Sequence, residues 1–374
     1  MTQGTRIAFI RPKDWPLANR IVETVLREQF PDQPLDVFDV LQMVKKRPDI
    51  LLINLIATVL LYGPELIKRK KKIRVAFWRT PYIFNQVKKL IRRRTANGQY
   101  RFSFQMQSLF DCSTPGLPHF LYTDHTHLEN LNYAVNQKAN LFAASWIQLE
   151  KTIYRNATVN FVRSSNVQRS MIHDYHCPPD KVKLVYAGSN ASVNSIKTGN
   201  PEYTDPHILF VGFDWKRKGG ADLVEAFKRV LEKYPSAKLT IVGAKPDLQI
   251  ANCEVVGSVK PEELDAYYQR ASIFCLPTYL EPFGIVFIEA MTARLPIVAT
   301  RVGAIPDFVE EGKNGWLVEP GDVHGLADAM IRLIENPSLA REFGEQSYQI
   351  IQERYSWHAV GNRFKEHIEQ ALGT

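Results

Sequence analysis

The sequence predicts an α/β protein with two domains, each a parallel sheet covered by crossover helices. Short β-branched runs alternate with stretches of helical period along most of the chain. A polar, turn-rich segment at residues 188–206 interrupts this alternation and is typical of an interdomain linker. The length of 374 residues agrees with two domains. We therefore predict domains at residues 1–190 and 203–355, and a C-terminal helix at 356–374 that crosses back to the first domain.

Seven strands and three helices are predicted before the linker. The strands lie at residues 6–10, 35–40, 50–54, 74–78, 120–123, 159–162 and 182–185, and the helices at 18–29, 128–154 and 166–174. The most apolar run, at residues 50–62, is shorter than the ~20 residues that span a bilayer, so we predict a buried strand and then a short helix. Residues 95–118 show no clear period and predict a long loop.

The second half alternates more regularly, and turns with glycine or proline end most of its predicted strands. Strands are predicted at residues 207–211, 238–242, 253–256, 272–276 and 297–299, and helices at 220–233, 261–270 and 284–293. Ligands of open α/β sheets bind at the carboxyl ends of strands, so these turns are the expected ligand positions. Two such domains would also enclose a cleft between them.

The charge is distributed unevenly along the chain. The net charge is +8, but residues 1–200 carry +15 and residues 201–374 carry −7. Thirteen Lys and Arg and no acidic residue lie between Glu65 and Asp111, with runs at 68–72 (KRKKK) and 88–94 (KKLIRRR), followed by aromatic residues at 100–104 (YRFSF). Cations beside aromatic residues favour an anionic membrane surface as partner. A solvated basic face, a polyanionic substrate and, least favoured, nucleic acid are the alternatives.

Four cysteines, far apart and without a CxxC pair, argue against a disulfide scaffold and indicate a reducing compartment. The first residues show no long apolar segment of the kind found in secretion signals. We therefore expect a cytoplasmic protein, peripheral on the inner face of the plasma membrane if the basic stretch binds lipid.

The segment at residues 279–291 (YLEPFGIVFIEAM) carries the chemistry. It predicts a strand end, a tight turn and a helix, with Glu281 just before the helix and Glu289 two turns into it on the same side. The unpaired amides of a first helical turn suit an anionic or hydroxyl-rich ligand, and carboxylates accept hydrogen bonds from hydroxyls. The alternative is a capping glutamate followed by a surface glutamate.

This segment resembles the EX7E motif of the family 4 glycosyltransferases, which are retaining enzymes of the GT-B fold. Residues 181–190 (KVKLVYAGSN), 209–220 (LFVGFDWKRKGG) and 295–322 (LPIVATRVGAIPDFVEEGKNGWLVEPGD) also resemble segments of that family. The resemblance implies two Rossmann-like domains facing each other across a cleft. It also implies sugar transfer from a UDP- or GDP-type nucleotide sugar to a glycan or lipid acceptor, with no metal, since side chains and helix N-termini balance the diphosphate.

The resemblance further implies roles for individual residues. Glu281 would lie near the hydroxyls of the donor sugar, Glu289 would accept hydrogen bonds from the ribose, and Lys218 would hold the diphosphate and stabilise it as it leaves. Phe283, Gly284 and Ile285 would contribute backbone at the sugar and phosphate, and Gly212 and Arg217 are further donor-binding candidates. The family usually has an arginine where this chain has Phe213, and Arg217 and Lys216 are the candidates to replace it.

The first domain resembles the family only weakly. Residues 10–15 (IRPKDW) stand where the family has a glycine-rich turn, and Arg11 or Lys13 is a candidate to compensate.

Residues 122–127 (YTDHTH) resemble the family's strand-end histidine, which faces the donor sugar. His125 is the first candidate and His127 the second, with Asp124 expected to orient His125. The alternative is a capping network around a structural histidine.

Two other functions remain open from the sequence. One is a sugar-nucleotide epimerase of the same fold. The other is a non-catalytic protein that binds membranes or nucleic acid through the basic stretch.

Overall fold

The chain, described by a computed structural model over residues 5–14, 17–133, 141–188 and 202–374, divides into two compact units. The N-terminal unit comprises residues 1–132, 136–186 and 360–374, and the C-terminal unit comprises 133–135 and 187–359. Each unit has a six-stranded sheet whose strands all pair in parallel, with helices as the crossovers. The α/β prediction is confirmed. Most of the predicted linker lies outside the described residues.

The N-terminal unit has the strand order β2-β1-β3-β4-β5-β6. Its strands are β1 (Arg6–Arg11), β2 (Leu35–Asp39), β3 (Tyr100–Met106), β4 (His119–Thr123), β5 (Val159–Val162) and β6 (Val182–Leu184). Its helices include α1 (Ala18–Gln29), α2 (Val40–Lys45), α3 (Pro48–Ile67), α4 (Ile73–Ala76), α5 (Pro81–Thr95), α6 (Ala144–Asn156) and α7 (Ser165–His173). Phenylalanines of β1, β3, β4 and β5 fill one face of the sheet, where the rings of Phe104 and Phe161 stack with centroids 6.0 Å apart.

Four sequence predictions for this unit are wrong. The strand predicted at 50–54 lies within α3, and the strand predicted at 74–78 is α4 followed by a 3₁₀ turn. The long loop predicted at 95–118 contains β3, in the middle of the sheet. The helix predicted at 128–154 is a short 3₁₀ helix at Leu128–Asn132 and, after residues that are not described, α6.

The aromatic residues at 100–104 belong to the core rather than to a lipid-facing surface. Phe102 and Phe104 are fully buried in β3, and Tyr100 is nearly so. The polar positions between them are also buried and paired: Ser103 hydrogen-bonds the His119 ring at 2.8 Å, and the Gln105 amide donates to the Phe110 carbonyl at 2.7 Å. These partners satisfy the polar groups of a central strand.

The C-terminal unit has the strand order β12-β11-β10-β7-β8-β9. Its strands are β7 (His207–Gly212), β8 (Lys238–Gly243), β9 (Cys253–Gly257), β10 (Ile273–Leu276), β11 (Ile297–Thr300) and β12 (Gly315–Val318). Its helices are α8 (Gly220–Lys233), α9 (Pro261–Arg270), α10 (Ile285–Thr292), α11 (Ile305–Phe308), α12 (Val323–Glu335) and α13 (Pro337–Arg354). The five strands and three helices predicted here are confirmed, each within one residue at either end.

The last helix, α14 (Trp357–Leu372), begins in the C-terminal unit, and its residues from Val360 onward belong to the N-terminal unit. Phe364 is fully buried there, with its ring centroid 5.2 Å from Phe104, 5.0 Å from Tyr122 and 5.1 Å from Phe161. The C-terminal segment therefore completes the core of the N-terminal unit.

Candidate functional site

The strand order of the C-terminal unit reverses between β7 and β10. From β7 the chain builds outward through β8 and β9, and then returns to place β10 on the other side of β7. Such a reversal leaves a crevice at the carboxyl ends of the two strands, where open α/β sheets bind ligands. The loop after β7 carries Lys218, and the segment after β10 carries Glu281.

Hydrogen bonds to main-chain carbonyls join these two segments. The Tyr279 amide donates to the Arg217 carbonyl at 2.9 Å, and the Arg217 guanidinium donates to the Leu280 carbonyl at 2.8 Å. Gly219 permits this approach, since it has a φ of +70° and a Cβ there would lie 1.9 Å from the Pro277 carbonyl oxygen. The sequence therefore brings two loops, about sixty residues apart, into a single fixed structure.

Lys218 and Glu281 form an ion pair in this structure, from the Lys218 Nζ to Glu281 Oε2. Both residues are buried, with 8% and 6% of their surface exposed. Gly212 makes room for the lysine, because a Cβ at that position would lie 3.1 Å from the Lys218 Cγ. An ammonium has three donors, so this pairing leaves two for an anionic ligand.

The turn before α10 places the start of that helix next to Glu281. Gly284 has a φ of +95°, a backbone conformation that side chains rarely adopt, and Ile285 is the first helical residue. Phe283 is buried against Phe308, with ring centroids 5.6 Å apart. The first amides of a helix lack intrahelical acceptors and carry partial positive charge, so they can bind phosphate or sugar oxygens.

Glu289 lies on α10 and is half-buried. The Tyr268 hydroxyl donates to its Oε2 at 2.9 Å, while burial raises the pKa of the carboxyl to about 7. The tyrosine bond favours the carboxylate and works against that rise. Glu289 is therefore a partly buried carboxyl with a hydrogen-bond donor beside it rather than a fully solvated surface glutamate.

Two hydrogen bonds to the Glu281 carbonyl could not be foreseen from the motif. The Ala304 amide donates to it at 3.2 Å, and the hydroxyl of the buried Tyr133 donates to it at 3.4 Å. Tyr133 belongs to the C-terminal unit although it lies 148 residues earlier in the chain. Nothing in the local sequence at Tyr133 indicates this position.

The two candidates to replace the family arginine differ in their surroundings. Arg217 bonds the Leu280 carbonyl and lies 3.3 Å from the Asp214 carboxylate, so it holds the loop together. Lys216 is exposed. Phe213 itself is 75% exposed, directly after the end of β7.

Arg11, in the N-terminal unit, is already committed to other partners. Its guanidinium lies 2.9 Å from the Glu23 carboxylate and 3.2 Å from the Asp39 carboxylate. Two carboxylates neutralise this arginine within its own unit, which argues against a role in binding phosphate. Lys13 is exposed.

His125 follows β4, as the family resemblance predicts. Asn130 donates to its Nε2 at 2.8 Å, its buried Nδ1 has no hydrogen-bond partner among the described residues, and burial lowers the pKa of the ring. The expectation that Asp124 orients this ring is wrong, because Asp124 lies 3.5 Å from the Arg163 guanidinium instead.

His127 is held by contacts within the N-terminal unit. Its Nε2 accepts a hydrogen bond from the Phe142 amide at 2.9 Å, and its ring packs edge-on against Trp146. Burial and the nearby Arg79 lower its pKa to about 3, so it stays neutral. The His125 Nδ1 differs in being a buried ring nitrogen with no hydrogen-bond partner among the described residues.

No three His, Cys, Asp or Glu side chains come together to bind one metal ion in the described part of the chain. The positive groups fixed between the ends of β7 and β10 include the Lys218 ammonium, the Arg217 guanidinium and the start of α10. This arrangement can bind an anionic ligand through a side-chain cation and backbone amides.

Comparison with known proteins shows the fold of this chain. The chain is similar to a crystal structure of Anabaena HepE in complex with UDP and glucose, with a TM-score of 0.62 and 16% identity over 98% of this chain and 99% of that one. The fold is GT-B, formed of two Rossmann-like domains. Residues 194–350, which make up most of the C-terminal unit, match the family Glycosyl transferases group 1.

Two curated relatives are also glycosyltransferases by name. The D-inositol 3-phosphate glycosyltransferase of Corynebacterium glutamicum is 27% identical over 60% of this chain and 60% of its own length. The sulfoquinovosyl transferase SQD2 of Arabidopsis thaliana is 31% identical over 60% of this chain and 48% of its own length. The chain thus spans about half to three fifths of these relatives.

Proposed function

We propose that this chain is a glycosyltransferase that moves a sugar from a nucleotide-sugar donor to an acceptor. The observation that carries the proposal is the buried Lys218–Glu281 pair between the ends of β7 and β10, next to the start of α10. The family match over residues 194–350 and the glycosyltransferases among the relatives support it.

The charges of the site suit a departing diphosphate. Cleavage of the bond between sugar and diphosphate leaves negative charge on the phosphate oxygens, and a fixed cation stabilises it most in the transition state. Lys218 has two donors for this purpose, and Glu281 has its Oε1 to accept hydrogen bonds from sugar hydroxyls. Glu289 would accept hydrogen bonds from the ribose.

The finer parts of the proposal follow the family resemblance. We propose a UDP- or GDP-type donor and retention of the anomeric configuration, with His125 at the donor sugar. We also propose that the reaction needs no metal, because Lys218 and the α10 amides supply the positive charge. The acceptor would be a glycan or a lipid-linked sugar, reached by a cytoplasmic enzyme at the inner face of the plasma membrane.

A panel of nucleotide sugars tests the proposal directly. A thermal shift identifies the donor, and transfer is then measured with that donor in excess EDTA, with NMR reporting the anomeric configuration of the product. Glu281→Gln should reduce transfer at least about 100-fold, while Glu225→Gln, which changes an exposed glutamate of the same unit, should not.

Each contrary result would overturn a named part of the proposal. No shift with any nucleotide sugar overturns the function, and epimerised sugar without transfer identifies the epimerase instead. Activity lost in EDTA and restored by Mg²⁺ or Mn²⁺ overturns the metal-free mechanism, and an inverted product overturns retention.

A further inference from the structure

Helix α3 has polar residues on the side that faces the protein, where an ordinary surface helix has its apolar residues. The side that faces the protein carries polar groups: the Asn54 amide donates to the Phe77 carbonyl at 2.6 Å, and the Tyr62 hydroxyl donates to the Arg79 carbonyl at 2.8 Å. Thr58, between them, is also fully buried. These residues recur every four positions and form one narrow stripe along the helix.

The opposite side of α3 is apolar and exposed. It carries seven of the ten large hydrophobic side chains that are exposed in the described part of the chain, and Leu60 alone is 80% exposed. Six of them lie on three successive turns: Leu52, Ile53, Leu55, Ile56, Val59 and Leu60. Large apolar side chains that are grouped on a solvent-exposed surface are unusual in soluble proteins, and they indicate that this side of α3 binds a partner.

A basic loop follows directly. Residues 68–72 are Lys-Arg-Lys-Lys-Lys, and none of these side chains forms an ion pair within the described residues. The nearest acidic residue after Glu65 in sequence is Asp111. The partner of the apolar face is therefore expected to be apolar itself and to carry negative charge at its edge.

The backbone fixes the direction in which this loop leaves α3. The Lys70 amide donates to the Glu65 carbonyl at 2.8 Å and the Arg69 amide donates to the Leu66 carbonyl at 3.0 Å, which is the Schellman arrangement of a helix end. Arg69 has a φ of 53°, at the position where glycine is usual. A cation thus occupies a site that local geometry reserves for glycine.

We propose that α3 and the loop 68–72 form a docking surface for an anionic lipid bilayer, with α3 lying in the plane of the headgroups. Its 20 residues are long and apolar enough to cross a membrane. A spanning orientation would, however, draw into the hydrocarbon the backbone of residues 77–80, which the polar stripe holds. An interfacial helix keeps that stripe on the protein, buries the apolar side in lipid and places the lysines among anionic headgroups.

This proposal deepens the proposed function, because it names the surface that would bring the enzyme to a membrane acceptor. It is tested separately, by co-sedimentation with phosphatidylcholine vesicles that contain or lack phosphatidylglycerol. We expect binding only to the anionic vesicles. Ile56→Gln with Leu60→Gln, and separately Lys68→Gln with Lys70→Gln and Lys72→Gln, should each weaken binding at least about tenfold.

Matched controls separate the surface from general hydrophobicity and charge. Lys228→Gln with Lys238→Gln and Lys313→Gln removes the same charge from exposed lysines of the C-terminal unit and should leave binding unchanged. Leu17→Gln replaces an exposed leucine of the N-terminal unit outside α3 and should also leave binding unchanged. In the protein with Leu60→Trp, brominated lipids should quench the added fluorescence if α3 enters the bilayer.

Three results would overturn the proposal. Equal binding to both kinds of vesicle would show that negative charge on the lipid is not needed. Unchanged binding of the Ile56/Leu60 variant would show that the apolar side of α3 does not enter the lipid. Light scattering that shows a dimer abolished by that variant identifies a second copy of the chain as the occupant. Thermal shift with nucleotide in solution is read in parallel, so a failure here leaves the donor-site proposal intact.

Discussion

Lys218 and Glu281 are two charged residues that are buried together as an ion pair. Removing both ions from water costs several kcal/mol, and their mutual attraction only partly offsets this. A well-packed apolar pair would often be as stable. This cost is consistent with a binding site in which the Lys218 ammonium is already desolvated before an anion binds.

Lys218→Gln tests this role. We expect kcat to fall by on the order of 10²–10³, with a smaller change in KM, because the cation acts mainly on charge that grows in the transition state. Steady-state kinetics with the donor identified above gives both constants. Lys228→Gln, which removes an exposed lysine of α8, should leave both unchanged. A Lys218→Gln enzyme with normal kcat would contradict the assignment.

A second buried carboxyl, that of Glu150, should make the stability of the protein depend on pH. It is 2% exposed and accepts hydrogen bonds from Tyr154 at 2.9 Å and the His127 amide at 3.1 Å, while burial raises its pKa to about 7. The folded protein therefore holds a proton that the unfolded chain releases above about pH 4.5. The free energy of unfolding should fall as pH rises from about 4.5 to 7.

Glu150→Gln removes this titration and keeps the size of the side chain. Relative to the variant, the wild type should lose up to about 3 kcal/mol of stability between pH 4.5 and 7. Urea denaturation at several pH values measures the difference, in which the contribution of Glu289 cancels. Parallel curves for the two proteins would show that Glu150 does not titrate in this range.

At the level of single residues, the sequence indicates candidate site residues but not their partners. The motif at 279–291 gave Glu281 and Glu289 as candidates and the loop at 209–220 gave Lys218, and the structure brings Lys218 and Glu281 together. The ion pairs of Arg11 could not be predicted, since they depend on Glu23 and Asp39 lying beside it in the folded unit. Such partners are set by tertiary packing.

At the scale of elements, the loop between β7 and α8 depends on one glycine. Gly219→Ala adds a Cβ only 1.9 Å from the Pro277 carbonyl oxygen, at a residue with positive φ. We expect a loss of more than about 2 kcal/mol in the stability of the C-terminal unit and a large loss of activity. Thermal denaturation and transfer assays measure the two effects.

Gly63→Ala is the matched control for this substitution. Gly63 lies inside α3, and apart from its chain neighbours and the nearby backbone of the helix itself, no described atom lies within 4 Å of an added Cβ. Alanine there should raise stability by up to about 1 kcal/mol, since it favours the helix. A Gly219→Ala protein as stable and active as the Gly63→Ala protein would contradict the close approach of the two loops.

The elements that were predicted wrongly share a physical cause. Sequence patterns identify a helix by one apolar side and one polar side, with the apolar side assumed to be inward. Helix α3 is apolar on its outer side and along much of its circumference, so its Ile-rich start looked like a buried strand. In β3 the buried Ser103 and Gln105 hid the strand, because their partners come from other parts of the chain.

The predicted elements of the C-terminal unit, from β7 to β11, agree with the structure because they obey local rules, whereas β12 and the helices α11, α12 and α13 were not predicted. Its strands β7 and β10 are buried apolar runs that end at turns, and α8 is apolar on one side only. Local propensity, pattern and tertiary environment agree there, and such agreement makes a fold readable from sequence.

At the scale of the whole molecule, the two units do not correspond to two continuous stretches of chain. The segment from Val360 onward belongs to the N-terminal unit, and its burial of Phe364 joins the last residues of the chain to β3, β4 and β5. The N-terminal unit therefore lacks part of its core until the whole chain is present. Its stability depends on residues that come after the C-terminal unit.

Phe364→Ala tests this dependence. The ring is fully buried among three aromatic residues, and its removal should cost about 3–5 kcal/mol. Hydrogen exchange should therefore accelerate in β3, β4 and β5, while the strands of the C-terminal unit keep their protection. Lys365→Ala, at the exposed neighbouring position, should change neither unit. Equal acceleration in both units would mean that they unfold together, and no acceleration in the N-terminal unit would mean that α14 contributes nothing to its core.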